Sequence, residues 1–196
     1  MPSMSKSERS MCLSRPWRSI ARRIVPWATL NTALSGDVLE IGGGGGAMAE
    51  ALAASHPHVR LTMTDVDPVM VDVARRRLAH VPDVSLCPAD VTALPYPDAS
   101  FDTVTSFLML HHVIDWEKAV AEVARVLRPG GVFVGYDLTA TRIATVIHLA
   151  DDSPYRLIRR GEFESQVATA GLGLVRMQYS AFGHVFRFVA AHQPSR

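Results

Sequence analysis

Cysteine is nearly absent: Cys12 and Cys87 are the only two in 196 residues, and neither falls in a metal-ligand spacing. That excludes a disulfide framework and a cysteine-based zinc site, and makes a reduced, cytoplasmic setting the expectation. No apolar run approaches the roughly 20 residues needed to span a bilayer. The charged N-terminus is not followed by the apolar stretch of a secretory signal. An excess of one charge is also lacking. With 20 Lys/Arg against 19 Asp/Glu, no basic surface dominates, and no nucleic-acid partner is expected. No pair of His, Asp or Glu has a spacing that points to a metal, so none is expected. Repeats, linkers and low-complexity tracts are missing too, and the length fits one domain.

What is present begins with a local imbalance. Residues 1–35 hold six Lys/Arg (Lys6, Arg9, Arg15, Arg18, Arg22, Arg23) and one acid, Glu8. The first ten residues read as a frayed tail. Over 16–34, Trp17, Ile20, Ala21, Ile24 and Ala28 recur at helical spacing, which predicts an amphipathic helix interrupted or bent near Pro26.

From residue 37 to 137 strand and helix signals alternate. Strands are expected at 38–41, 59–64, 84–87, 101–108 and 132–137, and helices at 47–54, 68–79 and 116–127. Asp67 and Pro68 form a helix start, and Asp115 a second N-cap. Pro129-Gly130-Gly131 reads as a turn. Such alternation is the signature of a parallel sheet wrapped on both faces. A helix over 162–170 and two strands, 172–179 and 184–191, then read as an antiparallel hairpin at the sheet edge.

The first strand runs into five glycines, Gly42 to Gly46. A glycine turn between strand and helix lets a ligand approach the backbone closely. The following helix offers N–H groups to an anion. Taken alone the loop has two owners, because it also satisfies a dinucleotide pattern ending at Ala47. Asp65, about 20 residues on, suits ribose hydroxyls in either case. An NAD-dependent oxidoreductase therefore stays open on these residues.

Four ordered segments together resemble the class I S-adenosylmethionine-dependent methyltransferases, in their type 11-like, small-molecule branch. Val38-Leu39-Glu40-Ile41-Gly42-x-Gly44-x-Gly46 is similar to that family's first motif. The stretch from Asp90 to Asp102, DVTALPYPDASFD, is similar to its D-x-x-x-L-P-F-x-D-x-S-F-D segment. Leu110-His111-His112-Val113 and Arg125 to Gly131 match the later ones. Asp67 stands where Ser or Asn is more usual, and the region 138–160, where members elaborate substrate cover, is short.

The resemblance implies a Rossmann-like, doubly wound α/β fold. Its mostly parallel sheet has seven strands, with a C-terminal antiparallel hairpin and an N-terminal lid helix. It divides 1–196 into a basic helical segment (1–35), a cofactor-binding core (36–138) and a C-terminal helix and hairpin (139–196). It implies S-adenosylmethionine as cofactor, S-adenosylhomocysteine as product, and a small-molecule acceptor, lipid-like or a natural product. Gly42, Gly44 and Gly46 would lie against the methionine part and Glu40 would attract its ammonium. Asp65 would hold the ribose and Asp90 the adenine amine, with Val66 and Val91 on the ring faces and Phe107 beside them; the residues also leave Asp90 open as a turn cap before Thr92. The cofactor has no phosphate, and the loop has no lysine. Phe101-Asp102 and Arg125 to Gly131 are structural positions on this reading. A binding protein that keeps the cofactor site without transfer remains a third reading.

Catalytic candidates must lie at the C-terminal ends of the strands. His111 and His112 follow the fourth strand, Asp137 ends the fifth beside Tyr136, and His184 lies at the hairpin turn. The histidine pair suits positioning or capping more than proton transfer, and Asp137 suits the wall of an acceptor cavity. The N-terminal helix has three roles open to it. A lid over the cofactor ranks first, ordinary packing second, and contact with an anionic membrane through its arginines, Trp17 and Trp27 third.

Overall fold

The computed structural model describes residues 6–149 and 154–193. One sheet of seven strands organises them. β1 (Asp37–Ile41) is central, between β2 (Arg60–Asp65) and β4 (Phe101–Phe107). β3 (Val84–Pro88) lies outside β2, and β5 (Leu127–Leu138) outside β4. These five are parallel. β7 (Val185–His192) pairs antiparallel with β5, and β6 (Leu172–Ser180) forms the edge beside β7. The order 3-2-1-4-5-7-6 reverses direction between β1 and β4, which opens a crevice at their C-terminal ends.

Residue alternation along the strands feeds two cores. Val38, Leu61, Met63 and Val134 face the side covered by α2 (Arg15–Ala28), α3 (Ala47–Ser55) and α4 (Pro68–Leu78). Leu39, Ile41, Val104 and Phe133 face α5 (Trp116–Val126) and α7 (Glu162–Thr169), where Phe163, Phe186 and Phe188 pack. The doubly wound, mostly parallel arrangement and the C-terminal hairpin are thus as expected. Among the described residues no helix is long and apolar enough to cross a membrane.

Several local expectations need correction. Of the expected frayed tail, residues 1–5 lie outside the described residues and residues 6–10 are helical, in α1 (Lys6–Leu13), with Arg9 Nη2 anchored 2.6 Å from Asp67 Oδ2. Ser14 Oγ caps α2 by accepting from Trp17 N. α2 is not interrupted at Pro26 but runs through it to Ala28. A proline there removes one hydrogen bond near the helix end, while Ala21, Val25 and Ala28 are fully buried and hold the helix in place. Asp67 does cap α4, accepting from Val69 N at 2.9 Å. Asp115 is the N-cap of α5, as expected, but without a side-chain capping bond; its carboxylate pairs with Lys118 Nζ at 2.7 Å.

Pro129-Gly130-Gly131 is not a separate turn before the fifth strand. It lies inside β5, which already pairs Leu127 with Phe101 and shifts register before Val132 meets Thr103. Gly130 takes the left-handed φ of +81° that the irregularity needs. Arg125 donates to the carbonyls of Leu94 and Tyr96 and to Asp98 and Glu122. Arg128 bridges Asp102 and Asp37. These positions tie loops to strands, in keeping with a structural role. The region after β5, read as short cover, contains a further helix, α6 (Arg142–Leu149).

Candidate functional site

β1 ends in the glycine loop, and alternate residues there need left-handed backbone. Gly42, Gly44 and Gly46 have φ of +63°, +53° and +77°, which explains a G-x-G-x-G spacing rather than a simple flexible turn. A Cβ on Gly42 would stand 2.6 Å from Met109 Cε, and one on Gly46 3.0 Å from the Cβ of Ala74 in α4. The loop is therefore pressed against the turn after β4 and against α4.

Beneath it lies Glu40, fully buried, with Oε2 lacking any hydrogen-bond partner. Burial, with the nearby charge of Asp65 adding to it, pushes its carboxyl up to about 8. An unpartnered buried carboxyl oxygen is costly, and a donor group placed beside it would relieve that cost.

Asp65 ends β2 and is buried. Its Oδ2 accepts from Gly44 N at 2.7 Å and its Oδ1 from Asp67 N at 2.9 Å. Burial is the largest influence on this carboxyl and leaves it raised despite those bonds. Asp65 thus has a part in the unliganded fold, beside any contact with a ligand. It holds the glycine loop to the start of α4. Each carboxylate oxygen has a second lone pair for a ligand. Asp65→Ala is expected to destabilise the unliganded chain by roughly 1–2 kcal/mol, read as a shift of the denaturant midpoint. An unchanged midpoint would limit Asp65 to ligand contact.

Asp90 follows β3, and its Oδ1 accepts from both the backbone N and the Oγ1 of Thr92, at 2.8 and 2.7 Å. Desolvation raises this carboxyl, but those bonds outweigh it and leave it below its ordinary value. Val66 is half-buried at the rim. Val91 is buried among the core residues around Leu94. Phe107 packs against Tyr136 with ring centroids 6.0 Å apart, and Trp27 of α2 meets the same Tyr136 edge-on at 5.5 Å.

The N-terminal helices sit beside this loop. Leu13 Cδ2 lies 3.1 Å from where a Cβ on Gly45 would stand. Arg18 and Arg22 pair with the buried Glu50 of α3 at 2.9 and 3.5 Å. Trp17 and Trp27 pack against the core. Three of the arginines are thus engaged within the protein.

Across the crevice, β4 gives way to a short 3-10 turn, Leu110–His112. Asp137, at the end of β5, is fully buried. Its Oδ1 lies 2.5 Å from His111 Nδ1 and accepts from Leu138 N at 2.6 Å, while Oδ2 accepts from Leu110 N at 2.7 Å. Burial raises the Asp137 carboxyl, but the adjacent His111 outweighs it and keeps the group below its ordinary value. His112 lies against His111 with ring centroids 4.0 Å apart and the rings tilted by 44°. His184 stands apart from these rings, bonded to Thr141 Oγ1 at 2.7 Å.

One neighbour was not anticipated from sequence. His148 of α6 is buried, 5.0 Å from His111 and 5.8 Å from His112 by ring centroids. Its local signal was Thr141 ahead of an apolar, helix-spaced run. That predicts α6, but not where α6 docks.

The match to known proteins covers the same residues. The model of a methyltransferase domain family matches 39–135, from β1 into β5. The chain belongs to the class I S-adenosylmethionine-dependent methyltransferase family. Within it, a demethylmenaquinone methyltransferase of Clavibacter sepedonicus is 34% identical over 156 residues, covering 79% of this chain and 58% of that one. A ubiquinone/menaquinone biosynthesis C-methyltransferase of Methylobacterium nodulans is 32% identical over 124 residues, covering 62% and 49%. The chain thus spans about half the length of the curated relatives it matches. The methyltransferase fold itself is shared with a solved S-adenosylmethionine-dependent methyltransferase from Aquifex aeolicus, at a TM-score of 0.76 and 16% identity. That likeness covers 97% of this chain and 100% of that one.

Proposed function

We propose that this chain passes the methyl group of S-adenosylmethionine to a small, apolar ring acceptor that carries an ionisable hydroxyl. One observation carries the cofactor half: the fully buried Glu40, with an unpartnered oxygen under the glycine loop. A bound ammonium supplies both partner and opposite charge. A pyrophosphate supplies no opposite charge there, which disfavours NAD. The acceptor class follows the names of the two relatives, one for demethylmenaquinone and one for ubiquinone and menaquinone.

Gly42, Gly44 and Gly46 would take the amino-acid end, Asp65 the ribose and Asp90 the adenine amine, with Val66, Val91 and Phe107 lining the ring. Bound there, S-adenosylmethionine supplies a methyl group already activated on a sulfonium. The chain's own task is alignment and exclusion of water. α1 and α2 serve as the lid, a role supported by Leu13 at Gly45 and by the Arg9–Asp67 pair. On the acceptor side, the Asp137 carboxylate holds a proton at His111 Nδ1, leaving the lone pair on Nε2 to take the acceptor's hydroxyl proton. Asp137 then stabilises the resulting imidazolium, and His112 packs against its face.

Calorimetry on the full chain tests this. S-adenosylhomocysteine should bind in the micromolar range, and NAD should not bind comparably; tighter NAD binding overturns the assignment. With a soluble quinol acceptor, His111→Gln should lower kcat while S-adenosylhomocysteine affinity holds. Binding without transfer to any quinol would leave a non-catalytic binder. Removing residues 1–13 should weaken cofactor affinity, and an unchanged affinity removes the lid.

A further inference from the structure

We infer that His111, His112 and His148 form a binding site for a divalent cation of the zinc class. No sequence spacing announces it, because the third ring arrives on α6. One ring nitrogen from each residue lies within 4.8 Å of the others. Four-coordinate zinc, with bonds of about 2.0–2.1 Å, sets neighbouring nitrogens about 3.3 Å apart. The rings must therefore close by at most about 1.5 Å, a movement within reach of side-chain rotation.

The tautomers favour a metal. His148 Nδ1 lies 2.8 Å from the carbonyl oxygen of Ala144. A carbonyl only accepts, so that nitrogen carries the proton and Nε2 holds the lone pair. His111 is set the same way by the Asp137 carboxylate at 2.5 Å. Metal-bound histidines characteristically donate their second nitrogen to a carboxylate or a backbone carbonyl, which fixes the ring and raises its basicity. Both arrangements occur here, on two buried rings, without a metal being needed to explain the fold. Half-buried His112 gives the cluster a route to solvent. Three imidazoles select zinc, cobalt, nickel or copper over magnesium and calcium, which require oxygen ligands.

The consequence for activity rests on the proposed role of His111. A proton and a cation cannot share its Nε2, so the loaded site blocks proton acceptance and the cation acts as a reversible inhibitor. Binding itself does not depend on that role.

The test is titration of the metal-stripped full chain with cobalt(II). One equivalent should bind with the intense visible bands of tetrahedral nitrogen coordination, and zinc should displace it. His148→Ala should weaken binding at least tenfold while S-adenosylhomocysteine still raises the melting temperature. Should that variant not fold, His112→Ala, at the more exposed ring, must show the same loss. Absence of the bands in the parent chain, or equal binding by a folded variant, overturns the site and leaves three packed rings. Cobalt binding with undiminished methyl transfer upholds the site and removes the proton role of His111.

Discussion

Gly135→Ala is expected to prevent stable folding. Gly135 is buried in β5 and registers with Ser106 of β4. A Cβ there would stand 1.9 Å from the Ser106 carbonyl oxygen, 2.9 Å from its carbonyl carbon and 3.1 Å from its nitrogen. All three are main-chain atoms of a central strand, so no side chain can swing away. Relief requires moving β4 against β1 or β5 against β7. Overpacking of this kind costs about 3 kcal/mol or more, a large share of the 5–15 kcal/mol typical of a domain. At roughly 2–4 °C per kcal/mol for a chain of this size, the melting temperature should fall by about 10 °C or the protein should be insoluble. Circular dichroism melts give the answer, with Gly173→Ala as control. Its Cβ would come closest to the end of the Gln193 side chain, at 3.0 Å, with the nearest main-chain atom, the Ala191 carbonyl oxygen, at an ordinary 3.8 Å. A Gly135→Ala melt within about 2 °C of the parent would refute the close approach.

Cofactor affinity is expected to rise close to tenfold between pH 6 and pH 7, through Glu40 alone. Burial holds this carboxyl at about 8 in the unliganded protein. A bound ammonium needs the carboxylate, so binding below that value expels a proton, and the apparent affinity gains up to about tenfold per pH unit. Calorimetry in two buffers of different ionisation enthalpy should report nearly one proton released at pH 7. Glu40→Gln should flatten the pH dependence and, at pH 8, weaken S-adenosylhomocysteine binding by about ten- to a hundredfold, as expected for losing a charge-assisted bond of about 1.5–3 kcal/mol. Equal parent affinity at pH 6 and 7.5 would sink the ammonium assignment. The same group acts on stability with a defined sign. Its folded value lies above the ordinary 4.5, so between about 4.5 and 8 the unfolded chain holds fewer protons. Glu40 therefore makes the unliganded fold less stable as pH rises through that window.

Much of this architecture is legible in the residues themselves. Alternating apolar strands, the Asp67-Pro68 start and the glycine spacing depend on contacts a few residues apart, and each element they predict is present. The proposed cofactor half of the site inherits that legibility, since β1, β2 and β3 bring Glu40, Asp65 and Asp90 to one end of the sheet. What resisted reading depends on docking. Pro26 looked like a break because its local penalty is visible and the burial of Val25 and Ala28 is not. Residues 6–10 looked like a tail because the partner of Arg9 is far along the chain. Asp65 could be assigned to a ligand, but its two backbone bonds arise only once the loop and α4 meet. His148 belongs to the histidine cluster solely because α6 brings its ring against those of the turn after β4.

β6 joins the sheet only through β7, although it is made first. When a ribosome has released Leu172–Ser180 but not yet Val185–His192, β5 still has one side unpaired and β6 has nowhere to attach. The parallel core can assemble earlier, yet it must wait with an open hydrogen-bonding edge on the strand that carries Asp137. Completion of the sheet thus waits for β7, and a chain stalled before it is one that chaperones would meet at β5.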